Sequence, residues 1–187
     1  MPKSNYTITE PLRGALIECF RATTRLVRPE LRRQLVLVGD AASIAHSSEA
    51  ISAGAPNFSL ESDGKTAFDA PQGFRVRIDL IQIGDGCIQR IYVAEPFHEG
   101  SVASKSDLLR LRAVTVVDRG SDGEVDDFRW LLSGVASEGQ VLPVLDKEEL
   151  EYVMKAGGSC LGKLDRLVLG AVLGANNSAI AYQLISS

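Results

Sequence analysis

The sequence predicts an α+β fold that ends in a helical portion. Three observations predict this class: a helical pattern near the N-terminus, alternating segments between turn signals up to residue 94, and apolar residues at helical spacing from residue 104 onward. The 187 residues, 45% of them hydrophobic, are enough to bury a sizeable core without disulfide bonds. We expect a single domain over residues 1–187, with an α/β core of residues 10–100 and a helical portion of residues 101–187 packed on it.

The N-terminal segment predicts a helix followed by a strand. Apolar residues recur near helical spacing over residues 10–33, and Thr9 stands where an N-cap residue is expected. Pro29 is expected to begin a second short turn of helix. The apolar run over residues 35–38 ends at Gly39, which indicates a buried strand leading into a turn. Short helices are expected over residues 41–46 and 48–53.

Basic residues are concentrated in the first helix. Residues 1–33 contain seven Lys or Arg against three Asp or Glu, whereas the whole chain has a net charge of −4. Such a face either binds an anionic partner or is a solvated helix face. The acidic balance of the whole chain gives no general attraction for nucleic acid.

The middle of the chain predicts an antiparallel meander with one polar face. Asp63-Gly64 between residues 57–60 and 66–68 indicates a hairpin with a type I′ turn. A strand is expected over residues 74–83, and a further strand over residues 87–94.

Helical patterns fill the remainder. Ser104 or Ser106 is expected to cap a helix that ends at Gly120. Further helices are expected over residues 124–132, 147–155 and 161–173. In the last of these, four residues at helical spacing are predicted to form the buried face: Leu161, Leu164, Leu167 and Val168.

Composition excludes several classes of protein. The first nine residues are polar and lack the layout of a signal peptide, and no apolar stretch reaches the length of a membrane span. The three widely spaced cysteines are expected to be free thiols in a reducing compartment, which predicts a cytoplasmic protein. No His or Cys cluster has metal-ligand spacing, so neither a metal nor a cofactor is expected.

The order of these elements resembles the nucleotidyltransferase-like fold superfamily, in particular its microbial and fungal proteins of unassigned function. The resemblance covers residues 10–135 and is carried by the strand before Gly39-Asp40, by the helix that begins Ser106-Asp107-Leu108-Leu109, and by Asp126-Asp127-Phe128. It implies a minimal mixed or antiparallel sheet with helices, in which Gly39 matches the first glycine of the signature and Asp79 matches its third carboxylate.

The catalytic Asp-x-Asp pair of that superfamily is missing here. No two aspartates stand two positions apart, and the strand that would carry them is interpreted as deleted. Nucleotidyl transfer needs divalent metal held by clustered carboxylates, which one aspartate does not provide. We therefore expect neither metal nor nucleotidyl transfer.

A candidate site can still be assembled on the remaining strand. Arg75, Arg77 and Asp79 alternate along it and share one face. The resemblance implies that this face lines the active cleft, whereas the alternative is an exposed face with a cross-strand ion pair. Arg77, Asp79 and His46 are the predicted catalytic residues, with Arg77 polarising an oxygen, Asp79 orienting it and His46 as a general base. The predicted substrate-binding residues are Asp40, Ser43, Arg75, Tyr92, Phe97 and His98.

Two functions remain open at this point. The first is a cofactor-free cyclase or pericyclase of natural-product biosynthesis, for example of Diels–Alder type, which folds a hydrophobic small molecule into a reactive conformer. The second is a catalytically inactive regulatory module that binds a nucleotide or a protein. An enclosed apolar pocket with Arg or Lys at its rim favours the enzyme, whereas a shallow polar groove or a flat apolar patch favours the module. The sequence leaves the oligomeric state open.

Overall fold

The computed structural model describes residues 9–38, 56–78, 81, 83–84 and 88–186. It is a mixture of helices and strands with a helical C-terminal part, which confirms the α+β class. The chain divides into two compact units. The first contains the residues up to 90 together with 94–103, and the second contains residues 91–93 together with 104–187.

Helix α1 (Glu10–Leu26) forms because its N-terminus is capped and one face is apolar. The Thr9 hydroxyl accepts a hydrogen bond from the backbone N–H of Leu12 at 3.4 Å, as the sequence predicts. A 3-10 helix (Pro29–Gln34) follows, which confirms the second short turn expected at Pro29. The buried face of α1 belongs to the core of the first unit through three residues: Ala15, Cys19 and Phe20.

One sheet of the first unit has the order β1-β6-β5. Strand β1 (Val36–Leu37) runs parallel to β6 (Gly100–Ala103), and β5 (Ala94–Phe97) pairs antiparallel with β6. The close approach of Phe20 requires glycine at the start of β6, because a Cβ on Gly100 would lie 2.6 Å from Phe20 Cζ.

The strand predicted over residues 87–94 is wrong. In the described part of this stretch only Ile88 makes an isolated bridge, and Ala94 begins β5 instead of ending a strand. Because β5 contains Glu95 and Pro96 and is mostly exposed, it lacks the apolar alternation that identifies a strand in a sequence.

The second sheet is an antiparallel meander of β2 (Phe58–Leu60), β3 (Thr66–Asp69) and β4 (Arg75–Ile78). The hairpin between β2 and β3 is confirmed, but its turn is not type I′. In this turn only Gly64 has a positive φ, of 81°, and the bond from the Gly64 N–H to Glu61 O closes a three-residue loop. That is a type I turn followed by a glycine bulge. The predicted alternation is confirmed in β4, where the arginines are exposed and the aliphatic residues are buried.

Four helices build the second unit around one core. They are α2 (Lys105–Asp118), α3 (Asp122–Ser137), α4 (Lys147–Cys160) and α5 (Lys163–Ser186). Ser104 caps α2 by accepting the Asp107 N–H, as expected. Helices α3 and α4 begin with capping boxes, Ser121 with Glu124 and Asp146 with Glu149, which place their starts close to the predicted positions.

The predicted buried face of the last helix is wrong at Leu164 and Leu167, whereas Val168 packs against the core. Leu164 and Leu167 are 78% and 73% exposed, whereas Leu169, Val172 and Leu173 are buried. Leu161 is buried, but it lies in extended backbone at the C-cap of α4, outside α5. The helix packs through Leu169, Val172 and Leu173 instead, with Val168 partly buried beside them. Non-helical backbone at Gly174 (φ 71°, ψ 173°) then breaks α5 into two segments.

Two neighbouring glycines in α4 provide a matched test of this packing. A Cβ on Gly157 would overlap Leu169 Cδ2, whereas a Cβ on Gly158 would meet nothing within 4 Å. Alanine is favoured over glycine in a helix by about 0.8–1.0 kcal/mol, so Gly158→Ala is expected to raise the free energy of unfolding by up to that amount. Gly157→Ala is expected to lower it by about 1–2 kcal/mol because overpacking outweighs the same gain. Urea denaturation of both variants measures this, and equal effects would contradict the packing of α5 on α4.

Candidate functional site

The structure describes some of the predicted site residues and not others. Asp40, Ser43, His46 and Asp79 lie outside the described residues. Arg75 and Arg77 lie side by side on β4, Phe97 and His98 lie at a turn in the same unit, and Tyr92 belongs to the second unit. The structure therefore brings together the two arginines, and separately Phe97 with His98.

Arg75 and Arg77 line an open groove of about 450 Å³ together with Glu61, Ser62 and Asp63. Arg75 donates from Nε to Glu61 Oε1 at 3.1 Å and from Nη2 to Ser59 Oγ at 2.7 Å. It also pairs with Asp69 at 2.9 Å. Arg77 binds Glu61 Oε2 at 2.7 Å and contacts Asp63. Both guanidinium groups are thus held by carboxylates of the neighbouring strands and turn.

The charges in this groove stabilise one another. The pKa of the Asp63 carboxyl is lowered, chiefly by the hydrogen bond from the backbone N–H of Lys65 and further by Arg77. The pKa of Arg75 is raised because Glu61, and then Asp69, hold its protonated form. The groove is polar, and both of its arginines bind carboxylates. These contacts match the alternative interpretation of the strand face, an exposed surface with cross-strand ion pairs.

Two arginines of the basic N-terminal helix pair with carboxylates of the first unit. Arg21 and Arg25 both pair with Glu18 and Glu99, at distances of 3.6–4.0 Å. Arg33 donates to Gly100 O at 3.0 Å. The pKa of Glu99 is lowered, first by a backbone N–H and then by these two arginines. Of the two interpretations of the basic stretch, the solvated helix face fits these contacts better.

Phe97 and His98 belong to a β-hairpin. Phe97 ends β5, and His98 has a positive φ of 50° in the tight turn before β6. The Phe97 ring packs on Phe20 with centroids 5.5 Å apart, and the exposed His98 ring packs on Phe97 at 4.5 Å. These contacts give Phe97 a role in the core of the first unit.

Tyr92 belongs to a buried polar network that the sequence does not reveal. Its hydroxyl donates to Glu149 Oε2 at 2.7 Å, and the Arg110 guanidinium lies over its ring at 5.3 Å. Arg110 in turn donates to Glu149 Oε1 at 2.9 Å and to Asp107 Oδ1 at 3.0 Å. Asp107 is fully buried and Arg110 is 4% exposed.

The same network fixes the segment 91–93 to the helices of the second unit. The carboxylate of Asp107 accepts the backbone N–H groups of Tyr92 at 3.0 Å and Val93 at 2.8 Å, and the Ser104 hydroxyl at 3.0 Å. The Arg110–Asp107 pair at a spacing of three in α2 is the one signal that the sequence offers for it. Because each of these side chains binds other groups of the protein, the network stabilises the fold of the second unit.

An exposed apolar helix face is the second feature that the sequence did not predict. We define the α5 outer face as Leu164, Leu167, Gly170 and Ala171, all exposed and on the side of α5 opposite its buried residues. It continues to Gly174, where Val141 packs and is itself 57% exposed. Two cations neighbour this face at helical spacing: Lys163 lies four residues before Leu167, and Arg166 lies four residues before Gly170. Trp130, on α3, is 67% exposed.

The described residues contain no group of three or more His, Cys, Asp or Glu side chains that could hold a metal ion. Within the same residues, none of the helices combines the length and apolarity that a membrane crossing requires. Cys19 and Cys160 are free thiols, and burial raises the pKa of Cys19 to about 12, so this thiol is not a nucleophile at neutral pH.

Comparison with protein-family models, with curated proteins and with solved structures finds no match to this chain. The class of protein is therefore argued from its surfaces.

The contrast between the buried network and the exposed arginines can be tested by substitution. Asp107→Ala leaves the Arg110 charge buried with one carboxylate and leaves the N–H groups of residues 92 and 93 unbonded. It is expected to lower the free energy of unfolding by about 3–5 kcal/mol. Arg77→Ala, the control, is expected to leave stability close to that of the parent protein because its ion pairs are open to solvent. Thermal unfolding followed by circular dichroism compares the two, and equal losses would refute the distinction.

Proposed function

We propose that this chain is a non-enzymatic module that binds a protein partner through the α5 outer face. The observation that carries the proposal is the exposure of Leu164 and Leu167, 78% and 73%, at adjacent positions of one helix face. Single exposed leucines are common on protein surfaces, but neighbouring ones on an otherwise small and apolar face are typical of an interaction site. Full burial of one leucine side chain contributes about 1.5–3 kcal/mol of free energy, so covering both leucines favours binding of a partner substantially.

The chemistry of the face defines the kind of partner. The face offers aliphatic and small side chains with Lys163 and Arg166 beside them, and such a surface suits the apolar face of another helix. A nucleotide would need unengaged cations or backbone donors, and the arginines described in the first unit are held by carboxylates or backbone carbonyls. These contacts support a protein over a nucleotide as the partner.

The pericyclase function and the nucleotidyltransferase-like ancestry stay predictions. Two of the three proposed catalytic residues, His46 and Asp79, lie outside the described residues. The third, Arg77, is bound by Glu61 in an open polar groove, whereas a pericyclase needs an enclosed apolar cleft. The proposal of a binding module is preferred because a described surface supports it.

Site-specific photo-cross-linking in the organism of origin tests the module. A benzophenone amino acid in place of Leu164 is expected to give a cross-linked adduct with a defined polypeptide. The same group in place of Leu60, which is 72% exposed in the first unit, is expected to give none. The polypeptide identified by mass spectrometry is then expected to bind the purified chain and to lose at least tenfold in affinity with Leu167→Lys. Equal adducts at both positions, or none at position 164, would contradict the proposal.

A further inference from the structure

We infer that Asp63-Gly64, in the turn between β2 and β3, is a site of spontaneous aspartate isomerisation that the folded hairpin suppresses, and that Arg77 is the residue that protects it. This site belongs to the first unit, whereas the α5 outer face belongs to the second, so the modification is independent of the proposed function. Arg77 thereby has a chemical role that needs no substrate.

An aspartate that precedes glycine is reactive because glycine has no Cβ to hinder the approach of its own backbone nitrogen. The nitrogen of Gly64 attacks Cγ of Asp63, and the protonated carboxyl group loses its hydroxyl together with the amide proton as water. The product is a five-membered succinimide ring. Water then adds to one of the two ring carbonyls, which restores aspartate or gives isoaspartate, whose chain continues through the former side chain. The water lost in ring closure is regained in ring opening, and nothing is oxidised or reduced.

The turn holds the attacking nitrogen in a hydrogen bond. The Gly64 N–H donates to Glu61 O at 3.0 Å, and the Glu61 N–H donates to Lys65 O at 2.8 Å, so the loop is closed from both sides. Ring closure requires the Gly64 nitrogen to give up its proton and to approach Asp63 Cγ. The bond to Glu61 O must open first, so the reaction proceeds through local opening of the hairpin.

The carboxylate of Asp63 is also held from two sides. Its Oδ1 accepts the backbone N–H of Lys65 at 3.1 Å, and its Oδ2 contacts Nη2 of Arg77. These contacts lower the pKa of Asp63, chiefly through Lys65 and further through Arg77, and keep the carboxyl group ionised. A carboxylate is the unreactive form because it has no hydroxyl to lose as water. Arg77 therefore restrains the carboxylate and keeps it in its unreactive form.

Arg75 provides a matched control on the same strand face. Arg77 is fixed by Glu61, with 2.7 Å between Nε and Oε2, and it reaches Asp63 from there. Arg75, two residues earlier, instead binds Glu61 at 3.1 Å and Asp69 at 2.9 Å. Replacing Arg75 removes a cation from the same groove and leaves in place the contacts that hold Asp63.

The test is incubation of the purified full chain at neutral pH in water enriched in oxygen-18, followed by peptide mapping with mass spectrometry. Each passage through the succinimide adds one heavy oxygen, and chromatography separates the aspartate and isoaspartate peptides. The chain unfolded in guanidinium chloride is expected to incorporate label at Asp63 about tenfold faster than the folded chain, or more. Arg77→Ala is expected to raise the rate in the folded chain about threefold, the size of effect that an exposed ion pair provides, whereas Arg75→Ala stays close to the parent protein.

Asp122-Gly123, the first two residues of α3 in the second unit, is the internal reference. Its labelling rate is expected to be the same in the parent protein and in both variants, which separates opening of the hairpin from unfolding of the whole chain. Equal labelling of Asp63 in the folded and unfolded chains would overturn the suppression. An Arg77→Ala variant that is no faster than the parent protein, or equal acceleration by both arginine variants, would overturn the protective role of Arg77.

Discussion

The burial of the Arg110 guanidinium between two carboxylates is the constraint on which the second unit depends. A charge that is 4% exposed has lost most of its hydration, and only close and well-directed partners offset that loss. Asp107 and Glu149 supply them from α2 and from the first turn of α4, so these two helices cannot move apart without leaving the charge uncompensated. Because Glu149 also accepts the Tyr92 hydroxyl, the chain segment before β5 is held by the same arrangement.

Local signals account for the parts of the fold that the sequence predicts. Thr9 and Ser104 each cap a helix that begins at the next residue, and the turn at Gly64 joins two neighbouring strands. The alternation in β4 reflects a sheet with one buried face. The buried side of α2 escapes such analysis because two of its members, Asp107 and Arg110, are charged. Apolar periodicity predicts that charged residues lie outside, whereas Asp107 and Arg110 are buried and bind, besides each other, groups that lie 14 to 39 residues away in the chain.

The same limit applies to the candidate site. The sequence places Arg75 and Arg77 on one face of a strand, and this is correct. Their partners come from the preceding hairpin, where register sets Asp69 opposite Arg75 and the turn brings Glu61 and Asp63 alongside. The pairing of β4 with this hairpin determines which groups the two arginines contact, and the sequence of a single strand does not encode that pairing. The exposed leucines of α5 were missed because leucines at helical spacing normally indicate a buried face, whereas this helix packs through Leu169, Val172 and Leu173.

Pro96 has a consequence for how this protein avoids unwanted association. Among the described strands, β5 forms one edge of its sheet, and its residue 96, opposite Ser101, has no backbone N–H to offer. The neighbouring Glu95 adds a charge to the same exposed strand. An edge of this kind resists the addition of a further strand, which is the first step of sheet-to-sheet aggregation.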